Sequence, residues 1–405
     1  MKWEEVKLGD IAVNIQTGPF GSQLHQSDYS IDGVPVVMPK DLIGGKVIED
    51  SIARVEEYHI NRLRRHKLNE GNIIYARRGD VGKCSYITKI EEGWLCGTGC
   101  LKVELDENQV VPKFVFYQLQ KSETVGWIEK HAIGATMLNL NTSILSSVPV
   151  SVPTLKIQQS IVSILSAYDD LIENNQKQIK LLEEAAQRLY KEWFVDLRYP
   201  RHENVEFVDG LPKGWSRAKL SELGTVITGK TPSTSNEEFY GNDVPFVKIP
   251  DMHNKIFPLN VETYLSEEGA NSQKGKYLPP NTLLISCIGT AGLINITVEK
   301  CQTNQQINAL VLINGKILYY IYYYLKGLQE LLQGLGSNGA TMTNVNKKKL
   351  ESILIEIPRY DLVENFFDYC KPVFDKILML SKENISLQEA RDRLLQRLMS
   401  GEVEV

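Results

Sequence analysis

The chain repeats itself. Trp3-x-x-x-Lys7-Leu8 returns as Trp215-x-x-x-Lys219-Leu220, and Val34-Pro35-Val36-Val37 as Val244-Pro245-Phe246-Val247. Leu68, Gly79 and Gly82 return as Leu278, Gly289 and Gly292. Gly134-Ala135-Thr136-Met137-Leu138-Asn139-Leu140-Asn141 returns as Gly339-Ala340-Thr341-Met342-Thr343-Asn344-Val345-Asn346. Pro153 maps to Pro358, and Leu182, Ala185, Arg188 and Leu189 map to Leu387, Ala390, Arg393 and Leu394. The spacing between copies shrinks only in steps, as loop insertions and deletions produce. Copies of roughly 200 residues are too long for solenoid units. They read as one domain pair duplicated, with pseudo-two-fold symmetry.

Each copy changes texture once. Its first part is mixed: short β-rich runs (Val34–Val37, Asn72–Ala76, Leu101–Leu105) punctuated by Gly and Pro, with helical periodicity at Phe114–Gln120 and Ile317–Leu325. The tyrosines of the second stretch read as core. Each globular part closes with a strand that stops at Pro153 or Pro358.

Beyond those prolines the pattern becomes a heptad. Ile161, Leu165, Tyr168, Ile172, Asn175, Ile179, Leu182, Ala186, Leu189 and Trp193 alternate at +4 and +3. So do Phe366, Cys370, Val373, Ile377, Leu380, Asn384, Leu387, Arg391, Leu394 and Leu398. A seam sustained this far predicts a coiled coil. Pro372 inside the second helix is expected to kink or restart it. Pro200, Gly210, Pro212 and Gly214 mark a linker. The expected boundaries are 1–152 and 215–357 for the globular parts, 153–198 and 358–405 for the helices, and 199–214 for the linker. The fold class is α+β.

Pseudo-two-fold symmetry makes the helices antiparallel and fixes a register. Centring it on Lys177 and Lys382 pairs Asn175 with Asn384, Ile172 with Leu387, Ile179 with Leu380, Leu182 with Ile377, Leu165 with Leu394 and Trp193 with Phe366. Polar seam residues set register, so Asn175 and Asn384 are the expected register pair.

Signatures of chemistry are missing. Gly79-Asp80-Val81-Gly82-Lys83 imitates a phosphate loop, but its first glycine would fall on Arg77, and Cys84 follows the lysine where Ser or Thr is required. No Asn/Asp-Pro-Pro-aromatic motif of an amino-methyltransferase and no Gly-x-Gly-x-x-Gly occurs. Pro250-Asp251 has no nuclease partner nearby. Six histidines stand singly, without metal-ligand spacing, and nothing marks a Ser or Cys nucleophile. Six cysteines without Cys-x-x-Cys read as reduced, mostly buried thiols. With no apolar leader and no long apolar run, the expected location is the cytoplasm. No catalytic residue, metal or cofactor is expected in this chain.

Net charge is −5, yet basic residues cluster. His59-Ile60-Asn61-Arg62-Leu63-Arg64-Arg65-His66-Lys67 contains no acid, Arg77-Arg78-Gly79 follows a strand, and Lys347-Lys348-Lys349 follows Asn346. Such clusters position a DNA backbone through its phosphates. Taken alone, each also fits a solvated surface.

The chain resembles the specificity subunits of type I restriction–modification systems. The resemblance is carried by Trp193-Phe194-Val195-Asp196 with Leu211-Pro212-Lys213-Gly214-Trp215-Ser216, by Gly134–Met137 with its copy Gly339–Met342, by Gln158-Gln159-x-Ile161-x-x-x-Leu165-x-x-x-Asp169, and by Leu394–Glu402. It covers essentially the whole chain, twice, although Val363-Glu364 replaces Gln158-Gln159 in the second copy.

The resemblance implies two target-recognition domains separated by an antiparallel coiled coil, each reading one half of a split site on double-stranded DNA. It implies two methyltransferase partners that bind S-adenosylmethionine and methylate adenine N6. It also implies two restriction and translocase partners that use ATP and Mg, and no membrane. Adenine methylation requires base flipping, and sequence is read by Arg, Lys, Asn and Gln at base edges. The expected DNA contacts in the first domain are Gln23, His25, Lys40, Arg62, Arg64, Arg65, Arg77 and Arg78. In the second they are Lys230, Thr234, Asn236, Lys248, His253, Asn254, Gln305, Gln306, Lys347 and Lys348. The aligned segments Thr17–Asp28 and Thr228–Asn242 differ in sequence, as two different targets require. An alternative within the class is the recognition subunit of a simpler restriction–methylation system cutting near its site. A protein scaffold on the same coiled coil is the rival from outside it, and would show no sequence-dependent DNA binding.

Overall fold

A computed structural model describes residues 3–20, 23–134, 138–200, 206–288, 290–329, 345–403 and 405. The chain forms two compact units, residues 1–172 with 386–405, and residues 173–385. Each unit therefore holds one globular part and a stretch of both long helices.

In the first unit a four-stranded antiparallel sheet runs in the order Ala12–Thr17, Cys100–Leu105, Ile73–Ala76, Cys84–Tyr86. Ile73–Ala76 is buried along its whole length, as a strand covered on both faces must be. A second sheet joins Leu95–Cys96 in parallel to Val34–Val37, followed by Ala53–Val55 and Tyr29–Ser30. Glu4–Lys7 pairs with Pro149–Val152, the strand that stops before Pro153. The main core gathers Ile73, Tyr75, Leu101, Phe114 and Tyr117 around helix Pro112–Leu119.

The second unit repeats the plan. Its main sheet runs Gly224–Thr228, Ile307–Leu312, Leu283–Ser286, Ile294–Ile296. Its small sheet again carries one parallel pair, Tyr240–Val247 with Gln302–Thr303. Ser216–Lys219 pairs with Leu354–Ile357, the strand before Pro358. Helix Leu318–Gly327 buries Tyr319, Tyr320, Tyr322 and Tyr323. A helix apolar on every side belongs inside; the tyrosines are core.

The long helices are Leu155–Tyr190 and Tyr360–Met399. Within each unit their segments run antiparallel. In the first, Asp169 meets Arg391 and the core takes Ile161, Leu165, Leu395 and Leu398. In the second, Asn175 meets Glu383 while Trp193 meets Phe366. Helix Tyr360–Met399 contains Pro372 without interruption, which corrects the expected restart. Pro372 and Asp368, whose carbonyl loses its intrahelical donor, are both exposed, so the lost bond falls on the solvent side of the helix. The first helix also ends differently from the expected 198: it passes into a π-turn, Lys191–Val195. The wider turn brings consecutive Trp193 and Phe194 inward, with centroids 6.0 and 5.0 Å from Phe366.

Candidate nucleic-acid interface

In the first unit the segment after Ala12–Thr17 is fixed by a close approach. A Cβ on Gly18 would lie 1.8 Å from the Gly97 carbonyl oxygen, and Gly18 N donates to Cys100 O at 2.9 Å. The chain then turns outward at Phe20, which is 55% exposed. The Arg77 guanidinium stands 5.7 Å from the Phe20 ring centroid. Arg77 N donates to Gly99 O, and its carbonyl accepts from Leu140 N, both at 2.8 Å. Arg78 is exposed and its backbone bridges to Asn139.

Gln23 is half-buried and His25 exposed. His25 N donates to Asp28 at 2.9 Å, and this bond, with His59, His25 and Arg62 around it, holds the Asp28 carboxyl below the usual range. Arg62 lies 3.0 Å from His59 Nδ1 and 3.9 Å from Asp28. Arg64 and Arg65, both exposed, open the 3-10 turn Arg64–His66, which ends on buried His66. Lys40 is exposed, and its Nζ donates to Ser51 O at 3.1 Å. The structure thus joins His25 to Arg62 and brings Arg77 over Phe20, while Lys40 is tied to a loop of its own.

The second unit places Gly229 as the first places Gly18: a Cβ there would lie 2.1 Å from Asn304 O. Exposed Lys230 N donates to Thr303 O at 2.9 Å, and its carbonyl accepts from Gln273 at 2.8 Å. Thr231 Oγ1 donates to Gln305 at 2.6 Å, and Asn304 Nδ2 donates to Gln306 at 3.0 Å. Lys230, Gln305 and Gln306 therefore converge on one loop pair. Exposed Thr234 lies close in sequence, and Asn236 caps the turn Glu237–Phe239 by accepting from Glu238 N.

Lys248 is half-buried beside Asp251, which accepts from its backbone N at 2.8 Å. His253 and Asn254 stand exposed in a turn where Asn254 has φ 55°. Buried Asn295 clamps both sides of that turn, donating to Met252 O at 3.1 Å and Lys255 O at 2.7 Å. Lys347 and Lys348 are exposed in the first turn of helix Lys347–Glu351, where the helix dipole disfavours cations.

Sequence reasoning missed Phe20, Asp28, Thr231, Asn304 and Asn295. Phe20 and Asp28 lie in the Thr17–Asp28 segment, Thr231 lies in Thr228–Asn242 and Asn304 adjoins Gln305; buried Asn295 carried no signal in the sequence. The motif Gly134–Met137 lies outside the described residues from Ala135 on, and Gly339–Met342 and Gly289 lie outside them entirely. The expected register asparagines are both buried, and Asn175 Nδ2 donates at 3.3 Å to Glu383, the neighbour of Asn384. All six cysteines are free and buried, and burial pushes the Cys96 thiol up to about 12. Among the described residues no helix is long and apolar enough to cross a membrane.

The family described as "Type I restriction modification DNA specificity domain" matches residues 1–184 and 212–385. The HindI type I restriction enzyme specificity subunit of Haemophilus influenzae is 30% identical, over 99% of each chain. The MjaIX specificity subunit of Methanocaldococcus jannaschii is 25% identical over 100% of this chain and 94% of its own. In fold, the chain is similar to a type I restriction–modification S subunit from M. genitalium, with a TM-score of 0.61 at 18% identity over 98% of this chain and 96% of that one. This chain belongs to the family of type I restriction–modification specificity subunits.

Proposed function

We propose that each globular part reads one half of a split, asymmetric DNA site and that the chain itself performs no chemistry. Two methyltransferase subunits, using S-adenosylmethionine, would methylate adenine N6 where this chain directs them. Two restriction subunits, using ATP and Mg, would translocate and cut unmethylated DNA. One observation carries the reading: the two units present differently composed polar loops at the same place in the same fold. Gly18 and Gly229 pin those loops alike, but one carries Phe20 and His25 with Arg77 against it, and the other Lys230 and Thr231 with Gln305 against it. Equal scaffolds with unequal side chains suit two half-sites of different sequence. The reading is tested by exchanging residues 1–152 for the matching part of a relative and sequencing the methylome of a host carrying the complex. One half of the target should change and the other persist; a change in both would overturn modular reading. Adding a heptad to each long helix should alter the unread spacer alone.

A further inference from the structure

We propose that Arg65 is a preset reader of a guanine edge in the half-site taken by the first globular part. The proposal rests on the DNA-recognition reading above and names the group that does the reading. Arg65 is exposed, yet its inner nitrogen is already engaged: Nε donates to His66 Nε2 at 2.9 Å. His66 is 2% exposed. Burial first, then the charge of Arg65, pushes its pKa down to about 4, so at neutral pH it is the uncharged acceptor this bond requires.

The backbone of the turn is clamped from below. The Gln16 side chain donates to the Arg65 carbonyl. Lys102 Nζ donates to Lys67 O at 3.1 Å. Gln16 and Lys102 are direct register partners on neighbouring strands Ala12–Thr17 and Cys100–Leu105. Lys102 is only 4% exposed, and a lysine is buried at that depth only when its charge is used; here it also stands 3.7 Å from Glu104. Two adjacent strands thus spend polar side chains on holding one short turn.

A guanidinium fixed through Nε still offers its two terminal amino groups, the fork that matches guanine O6 and N7. Fixing it beforehand removes rotamer entropy that binding would otherwise cost. The neighbouring cations are arranged differently. Arg62 is held by His59 and Asp28, Arg77 lies over Phe20, and Lys40 serves Ser51. The second copy lacks the device, because the corresponding register partners are Ile227 and Ala309. A reader built into one copy alone suits an asymmetric target.

The test uses the full chain assembled with its methyltransferase subunits in cells, read by methylome sequencing. The wild-type target should contain a guanine in one half-site. Arg65→Ala and the milder Arg65→Lys should make that single position degenerate, with discrimination falling ~10–100-fold, while the other half-site stays intact. His66→Phe fills the pocket without an acceptor and should loosen the same position by a smaller factor. An unchanged motif in Arg65→Ala would overturn the proposal. So would a uniform fall in methylation across all sites, which marks a phosphate contact. A wild-type complex that methylates without sequence preference would instead overturn the parent reading.

Discussion

Asp169 on the first long helix accepts from Arg391 Nη1 on the second at 2.8 Å, and its other oxygen accepts the Tyr117 hydroxyl. One carboxylate thereby ties the helix pair of the first unit to the helix that closes its globular core. Arg391 occupies a seam position where an apolar residue would be ordinary. Its partner group is only 20% exposed, and its own side chain 29%. Arg391→Ala should therefore cost more than a surface ion pair does, about 1–3 kcal/mol after allowance for partial solvation. Urea unfolding of the full chain measures it. A double-mutant cycle with Tyr117→Phe should show non-additivity, because both act through Asp169.

Asn175 is 3% exposed and donates to Glu383 across the seam. Asn175→Ala removes this bond and opens a gap in the buried seam, while exposed Glu383 turns to water, so stability should fall by about 0.5–1.5 kcal/mol. Methylome sequencing should reveal added spacer lengths if the asparagine fixes register; a single unaltered spacer would assign it to stability alone.

Gly18→Ala should be far more disruptive than its size suggests. The new methyl would stand 1.8 Å from the Gly97 carbonyl, so either the Gly97 turn or the Gly18–Asp28 segment must move. Recognition of one half-site should collapse while the long helices keep their helicity, checked by circular dichroism alongside DNA methylation.

His66 gives the first unit an acid limit. Its pKa is about 4 in the fold, against ~6.5 in an unfolded chain. Between those values the unfolded chain binds the extra proton, so stability rises with pH. The contribution is whole above pH ~6.5 and is lost as pH falls towards 4, on the order of 2 kcal/mol. His66→Phe should flatten that part of the stability profile.

The isolated chain should bind DNA weakly. Residues 1–152 carry 17 basic against 19 acidic side chains, and residues 211–357 carry 14 against 12. The first balance is a deficit and the second a surplus of two, neither of them that of a stand-alone DNA binder, so under the proposed function the methyltransferase subunits would complete the clamp. Nanomolar sequence-specific binding by the chain alone at physiological salt would refute this.

What was legible in the chain was whatever repeats along it. Short β-rich runs marked Val34–Val37 and Asn72–Ala76, the heptad marked the long helices, and Pro153 and Pro358 marked where strands end, because these are local consequences of backbone geometry. The repeat itself announced two copies of one plan. What folding alone decided depends on which strands become neighbours. The register that sets Gln16 beside Lys102 turns two unremarkable polar residues into the clamp beneath Arg65. The π-turn at Lys191–Val195 could not be read either, since it answers to the aromatic packing around Phe366. Nor could Pro372, which is tolerated because its side of the helix faces water. Periodicity is written in sequence neighbours; the contacts that orient a side chain towards a ligand come from residues tens of positions away.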